Sequence, residues 1–171
     1  MQFNRSPHSL LEKFSAENTD VSWTEDNISI FHSDYCIIRK GLVSYNNSPT
    51  GDGVMLEGSS YCLVEDVDAV QQGNGAFAAV PQGASRSAGC TFRRCSTRDS
   101  YNTQRDGRPA PSSGGLSFYV RTIAGDDKHS IVDCRYENLA APRNLIWDLR
   151  SVNAGWSFNR AVFAPRRPIR L

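Results

Sequence analysis

The sequence predicts an all-β chain: a short right-handed parallel β-helix, a solenoid of about five rungs, with an N-terminal capping helix. Three observations carry this expectation. A strand-like segment recurs five times at a spacing of about 26 residues, a second strand-like piece precedes each copy, and charge alternates up one column of the aligned copies.

The recurring segments are YCIIRKGLV from Tyr35, YCLVEDVDA from Tyr61, GCTFRRCST from Gly89, HSIVDCRYE from His129 and GWSFNRAVF from Gly155. Their second residues are Cys36, Cys62, Cys90, Ser130 and Trp156, separated by 26, 28, 40 and 26 positions. Before them stand ISIF from Ile28, VMLE from Val54, FAAV from Phe77, LSFYV from Leu116 and LIWDL from Leu145. Ile28 leads Cys36 by the same offset as Val54 leads Cys62. These pieces are short, rich in β-branched and aromatic residues, and bounded by Gly, Asn, Ser and Asp, which is strand-and-turn chemistry. One rung cannot bury its own apolar face, so rungs must stack at about 4.8 Å, giving a height of roughly 24 Å.

Alternation along the strand sorts the columns. Ile38, Val64, Phe92, Val132 and Phe158 form an apolar inward column, beside the inward column of Cys36, Cys62, Cys90, Ser130 and Trp156. Arg39, Glu65, Arg93, Asp133 and Asn159 lie outward, and Lys40, Asp66 and Arg94 repeat the alternation of sign one residue on, so vertical neighbours attract. Arg135 stands where Gly41, Val67, Cys95 and Ala161 sit, which indicates a one-residue shift involving Cys134. About fourteen extra residues in the third gap form a Pro- and Gly-rich loop over 98–115. Residues 1–26 read as a cap: Ser6 as N-cap, Pro7 at the first helical position, and Leu10, Leu11 and Phe14 as the apolar face of a helix from Pro7 to Glu17. Residues 27–164 are the solenoid, and 165–171 a basic, proline-rich tail that ends the stack or reaches a neighbouring subunit.

Composition narrows the class. The chain has 171 residues, 39% apolar and 22% charged, enough for one soluble domain with a sizeable core. A formal net charge of +1 gives no field to draw nucleic acid or anionic lipid. No apolar run has the length of a membrane span. Five cysteines without CxxC spacing argue against a disulfide framework and a zinc site, and favour buried free thiols in a reduced compartment. Met1 to Asp20 lacks the layout of a secretory signal, so a complete chain would be cytoplasmic and a fragment would be extracellular.

The segment GDGVMLEGSSYCLVED, Gly51 to Asp66, resembles the right-handed β-helix repeats of the pectate-lyase-like superfamily. The resemblance covers about residues 27 to 164 and lies in the repeat. It implies a groove along one sheet face of the kind that takes acidic polysaccharides. The chain has fewer rungs than those enzymes, and no epimerase or polygalacturonase catalytic motif is found in it.

Each group with chemical potential has a structural reading beside it. Glycoside hydrolysis needs two carboxylates across the sugar, and Asp52, Glu65, Asp66 and Asp68 are the residues of that type. Glu65 and Asp66 also have Arg39, Lys40, Arg93 and Arg94 as ladder partners. Elimination across a uronate could draw on Arg93, Arg94 and Arg98 beside Asp99. His32 and Asp34 flank a turn and could exchange a proton, whereas His8 and His129 have no ligand-type neighbours, so neither a metal nor a cofactor is expected. The substrate-binding candidates are Arg93, Arg98, Asp99, Tyr101, Asn102, Arg105, Asp106 and Arg108, with Gln104, because aromatic, amide and guanidinium groups suit sugar hydroxyls and carboxylates. The reading ranked first is a carbohydrate-binding or structural β-helix module without a catalytic motif. A lyase or epimerase acting on acidic polysaccharide is the alternative, and an oligomerising scaffold the third. The expected partners are an acidic polysaccharide and further copies of the chain, not nucleic acid or membrane. A binding module, unlike an enzyme, predicts exposed aromatic side chains.

Overall fold

The computed structural model describes residues 1–18, 24–98, 102–103, 109–110, 116–120, 128–137, 146–148, 156–159 and 162–163. Among the described residues every regular element is a strand. In chain order these are β1 (Gln2–Asn4), β2 (Leu10–Glu17), β3 (Ile28–Phe31), β4 (Ile37–Asn46), β5 (Asp52–Glu57), β6 (Leu63–Gln72), β7 (Gly75–Val80), β8 (Thr91–Arg93) and β9 (Ser96–Arg98). They continue as β10 (Asn102–Thr103), β11 (Pro109–Ala110), β12 (Leu116–Val120), β13 (His129–Val132), β14 (Arg135–Glu137), β15 (Ile146–Asp148), β16 (Trp156–Asn159) and β17 (Val162–Phe163).

The run from 24 to 98 winds about three turns of a parallel β-solenoid. One sheet has the order β1-β3-β5-β7-β12-β15. The other runs β2-β4-β6, then continues through β8, β13 and β16 along one half and β9, β14 and β17 along the other. The expected fourth and fifth repeats fall partly on residues outside the described set, as does the tail 165–171. Within the 98–115 insert, Asn102–Thr103 pairs antiparallel with Pro109–Ala110.

The inward columns are those that strand alternation dictates. Ile28, Val54 and Phe77 stack in the first sheet, as do Ile30, Leu56 and Ala79, all fully buried. Ile38, Val64 and Phe92 face them from the second sheet, and Phe77 meets Phe92 across the core with ring centroids 5.7 Å apart. Ser33, Ser59 and Ser87 turn the corner between sheets as a buried ladder. The Ser33 amide donates to Ser59 Oγ at 2.9 Å, and Ser87 Oγ donates to the Ser59 carbonyl at 2.9 Å. The stacked cysteines follow, with the Cys62 thiol donating to the Ser33 carbonyl at 3.3 Å and the Cys90 thiol to the Ser59 carbonyl at 3.4 Å. All five cysteines are buried and free. Burial raises the Cys36 and Cys95 thiols above their ordinary value, which keeps them protonated and poorly nucleophilic.

Two expectations are corrected. The helix from Pro7 to Glu17 is instead a corner followed by β2, which pairs parallel with β4: Leu11 beside Ile38, Glu12 beside Arg39, Phe14 beside Gly41. Residues 1–26 therefore supply a strand to each sheet rather than a helical cap. A complete parallel partner outweighs a local helix signal of Ser-Pro and three apolar residues, because propensity is a small term beside tertiary pairing. The second correction is one of register. Ile131, not Val132, stacks on Phe92, and Phe158 on Ile131, so His129 rather than Ser130 lies beside Cys90 in the cysteine column. Cys134 settles the shift by taking the place above Cys95, whose amide lies 3.4 Å from Cys134 Sγ.

The corners recur as columns of left-handed backbone. Lys13, Lys40, Asp66, Arg94 and Asp133 have φ between 51° and 58°, and His8, Tyr35, Tyr61 and Gly89 between 56° and 62°. L-residues accept this conformation singly and at a cost, so its repetition at matched positions is imposed by the sharp bends of the coil. It also brings Asp133 into the column of Lys40, Asp66 and Arg94, where the alternation of sign continues.

Candidate functional site

The left-handed corner between β3 and β4, and its equivalents in neighbouring rungs, sets three rings in a vertical stack. Tyr35 lies on Tyr61 with centroids 5.2 Å apart and planes 16° from parallel, and His8 lies on the other face of Tyr35 at 5.2 Å and 4°. The next rung has Gly89, over which Tyr61 sits so closely that a Cβ there would be 2.6 Å from Tyr61 Cδ1. Tyr35 and Tyr61 are 51% and 56% exposed, although the faces of both rings are largely covered. Their exposure therefore falls on ring edges and hydroxyls, which form a rigid line of hydrogen-bonding groups along the corner.

Two adjoining hollows of about 440 and 330 Å³ run beside this stack and share Ser60 and Arg86. His32 and Asp34 line the first, and Tyr61, Gly89 and Lys128 the second. Asp34 Oδ1 accepts the Ser60 amide at 2.7 Å, so this carboxylate braces the next rung. His32 packs edge-on against Phe31 at 4.2 Å and lies over Gly58, where a Cβ would come 3.0 Å from its Nδ1. The His32-Asp34 pair thus joins a shared hollow, with each member tied to its own structural neighbour. Arg86 and Lys128 are exposed and give the groove two cationic groups.

Gly89→Ala is expected to disrupt this corner. The backbone at φ 62° resists a side chain, and the new methyl would displace Tyr61. A loss of about 1–2 kcal/mol is the magnitude for a non-glycine residue in such a conformation. The expected result is a lowered melting temperature with a changed near-ultraviolet tyrosine dichroism; an unchanged spectrum would contradict the stacking.

The outward charges form a ladder. Arg39 Nε and Lys40 Nζ each lie 3.1 Å from Glu12 Oε1, Arg93 and Arg94 both contact Glu65, and Arg94 Nε reaches Asp66 at 2.7 Å. Hydrogen bonding from Arg93 holds the Glu65 carboxyl below the usual carboxylate range, and that from Arg94 does the same for Asp66. Asp68 accepts from Ser96 Oγ. Asp52 lies at the start of β5, fully buried, whereas Glu65, Asp66 and Asp68 stand on β6. The four carboxylates considered for hydrolysis are therefore divided between sheets, and the two on the ladder are held ionised. The cations of these pairs are substantially exposed to water even where the carboxylate, as at Glu65, is buried, so each pair contributes little and its role is to oppose slippage of register.

A third hollow, of about 400 Å³, lies on the outer face of the first sheet, bounded by Glu25, Asp26, Phe31, Glu57, Gln82 and the N-terminus. Burial, with repulsion from Glu25 and Glu57, pushes Asp26 up to about 6, although its Oδ1 accepts the Asp52 amide at 2.8 Å. Burial and Glu25 raise Glu57, and burial followed by the neighbouring Asp26 raises Asp52 well above the usual range.

Of the residues expected to bind substrate, Arg93 is engaged by Glu65 and lies in the ladder, away from the groove-lining set. Arg98 ends β9, half-buried, paired along the backbone with Val70 and Glu137. Asn102 stands on β10. Asp99, Tyr101, Gln104, Arg105, Asp106 and Arg108 lie outside the described residues. Tyr35, Tyr61, Arg86 and Lys128 were not anticipated as site residues. The tyrosines had a signal, since both head a repeat segment immediately before the cysteine column. No protein-family model, curated protein or solved structure matches the chain.

Proposed function

We propose that this chain is a carbohydrate-binding module, a right-handed parallel β-helix of five rungs akin to the pectate-lyase-like repeats, that takes an acidic polysaccharide along the corner groove without cleaving it. The observation that supports this reading is the rigid stack of His8, Tyr35 and Tyr61 beside a groove carrying Arg86 and Lys128. Exposed aromatics are the feature that distinguishes a binding module from an enzyme in a β-helix whose ladder charges are already paired. Tyrosine hydroxyls suit sugar hydroxyls, and the two cations suit a carboxylate, through charge-assisted hydrogen bonds of about 1.5–3 kcal/mol each. The acidic hollow on the first sheet would repel the same ligand, which favours the corner as the path of the chain.

Calorimetric titration with uronate oligosaccharides and their neutral counterparts tests the proposal, with ultraviolet absorbance and reducing ends followed for product. Binding of the acidic series alone, weakening with salt, and reduced about tenfold or more by Arg86→Ala or Lys128→Ala, is the expected result. Binding that ignores both substitutions would place the site elsewhere. Formation of product would overturn the non-catalytic reading in favour of a lyase or hydrolase.

A further inference from the structure

We infer that the N-terminal end of the solenoid docks a second copy of this chain, through antiparallel pairing of β2 with the β2 of that copy. β2 is hydrogen-bonded to β4 on one side, and among the described residues nothing pairs with its other edge. The amide of Asn18 donates to the Ser44 carbonyl of the β4 rung at 3.0 Å. Successive amides of a strand alternate in direction, so those of Phe14 and Ala16 point to β4 and those of Ser15 and Glu17 to the open edge. The apolar end of the core is also incompletely covered: Phe3, Leu11, Phe14 and Ala16 pack on it while only partly buried, and Leu10 is 52% exposed. An edge with free amides beside apolar surface is a template for another strand.

The sequence of that edge identifies the strand it fits. A two-fold axis through Ser15 sets Ser15 opposite the partner's Ser15, with the two residues exchanging both backbone hydrogen bonds. In that register Lys13 falls opposite the partner's Glu17, and Glu17 opposite the partner's Lys13. Phe14 falls beside the partner's Ala16, so inward residues meet inward residues. Lys13, Ser15 and Glu17 are all exposed, and among the described residues Lys13 makes no ion pair. The edge is thus self-complementary in charge, in side-chain direction and in hydrogen-bonding direction. Such an interface is isologous, so it closes at two copies and does not propagate into a fibre.

Light scattering coupled to size exclusion on the full chain reads the outcome. The wild type is expected at twice the monomer mass. Ser15→Pro removes an amide that faces away from β4, so it should leave the far-ultraviolet dichroism unchanged and yield monomers. Lys13→Glu sets two carboxylates opposite each other and should do the same, and the double variant Lys13→Glu/Glu17→Lys should restore the dimer. A wild type that is monomeric across the concentration range overturns the inference. So does a dimer that survives both Ser15→Pro and Lys13→Glu, or one that the double variant does not restore.

Discussion

Replacing Phe92 with alanine is expected to destabilise the protein by about 3–5 kcal/mol, the range for deleting a buried aromatic side chain. Phe92 is fully buried and stacks between Val64 and Ile131 in its column while touching Phe77 across the core. Its removal opens a cavity shared by three rungs and both sheets, and parallel rungs fixed by their hydrogen bonds cannot collapse into it. For a chain of this size the melting temperature should fall by roughly 6–20 °C. Differential scanning calorimetry checks this. A fall no larger than that for an exposed ladder residue would mean that Phe92 does not face the core.

The second large effect is a loss of stability as pH rises from about 5 to 8. Asp26 is raised to about 6 in the folded chain, from an ordinary value of 3.8, and complete burial raises Asp52 well above the same ordinary value. A raised carboxyl binds its proton more tightly folded than unfolded. Its contribution is therefore fully present below the unfolded value and is lost as pH climbs through the folded one. For Asp26 alone the whole loss is about 3 kcal/mol, from a displacement of roughly two pH units, and about half of it falls above pH 5. Glu12, Glu65 and Asp66 are lowered by their basic partners and act in the opposite sense, but their loss comes only as pH falls below about 4. Between 5 and 8 the buried pair governs. Asp52 Oδ2 is buried without a hydrogen-bond partner among the described residues. Asp52→Asn keeps the shape and removes the charge, so it should raise the melting temperature at neutral pH and flatten the profile. A wild-type melting temperature that climbs from pH 5 to 7, or a less stable Asp52→Asn, would contradict the assignment.

Most of the fold was legible because a stacked coil repeats its inward positions, and Ile28 with Cys36 and Val54 with Cys62 repeat at one offset. The N-terminal rung was hidden by substitutions that leave its geometry intact. Ser9 replaces the cysteine, His8 the tyrosine and Phe14 fills the space above Gly41, while Pro7 imitates the start of a helix. The matches of Ser6 to Ser33, Leu11 to Ile38 and Glu12 to Arg39 were present at an offset of 27 positions. The fourth rung was misaligned because Ser130 is chemically closer to cysteine than His129 is. Which of them occupies the column depends on Cys134 lying above Cys95, a relation between rungs and not a local preference.

The site was less legible than the fold. Tyr35 and Tyr61 could be placed one above the other from the repeat alone. Arg86 and Lys128 meet at Tyr61 only because the turn after β7 and the segment entering β13 pass the same corner, and that follows from register. The ladder charges, by contrast, were prominent in the sequence for a structural reason: they alternate because vertical neighbours must attract.

A titration of isotopically labelled protein with a uronate oligosaccharide, followed by amide and aromatic chemical shifts, reads directly whether the corner groove takes an acidic sugar. Saturable shifts are expected, concentrated at Tyr35, Ser60, Tyr61, Gly89 and Lys128, with little change at Asp26 and Glu57. Shifts centred on the Asp26 hollow, or none at saturating ligand, would contradict the proposed site.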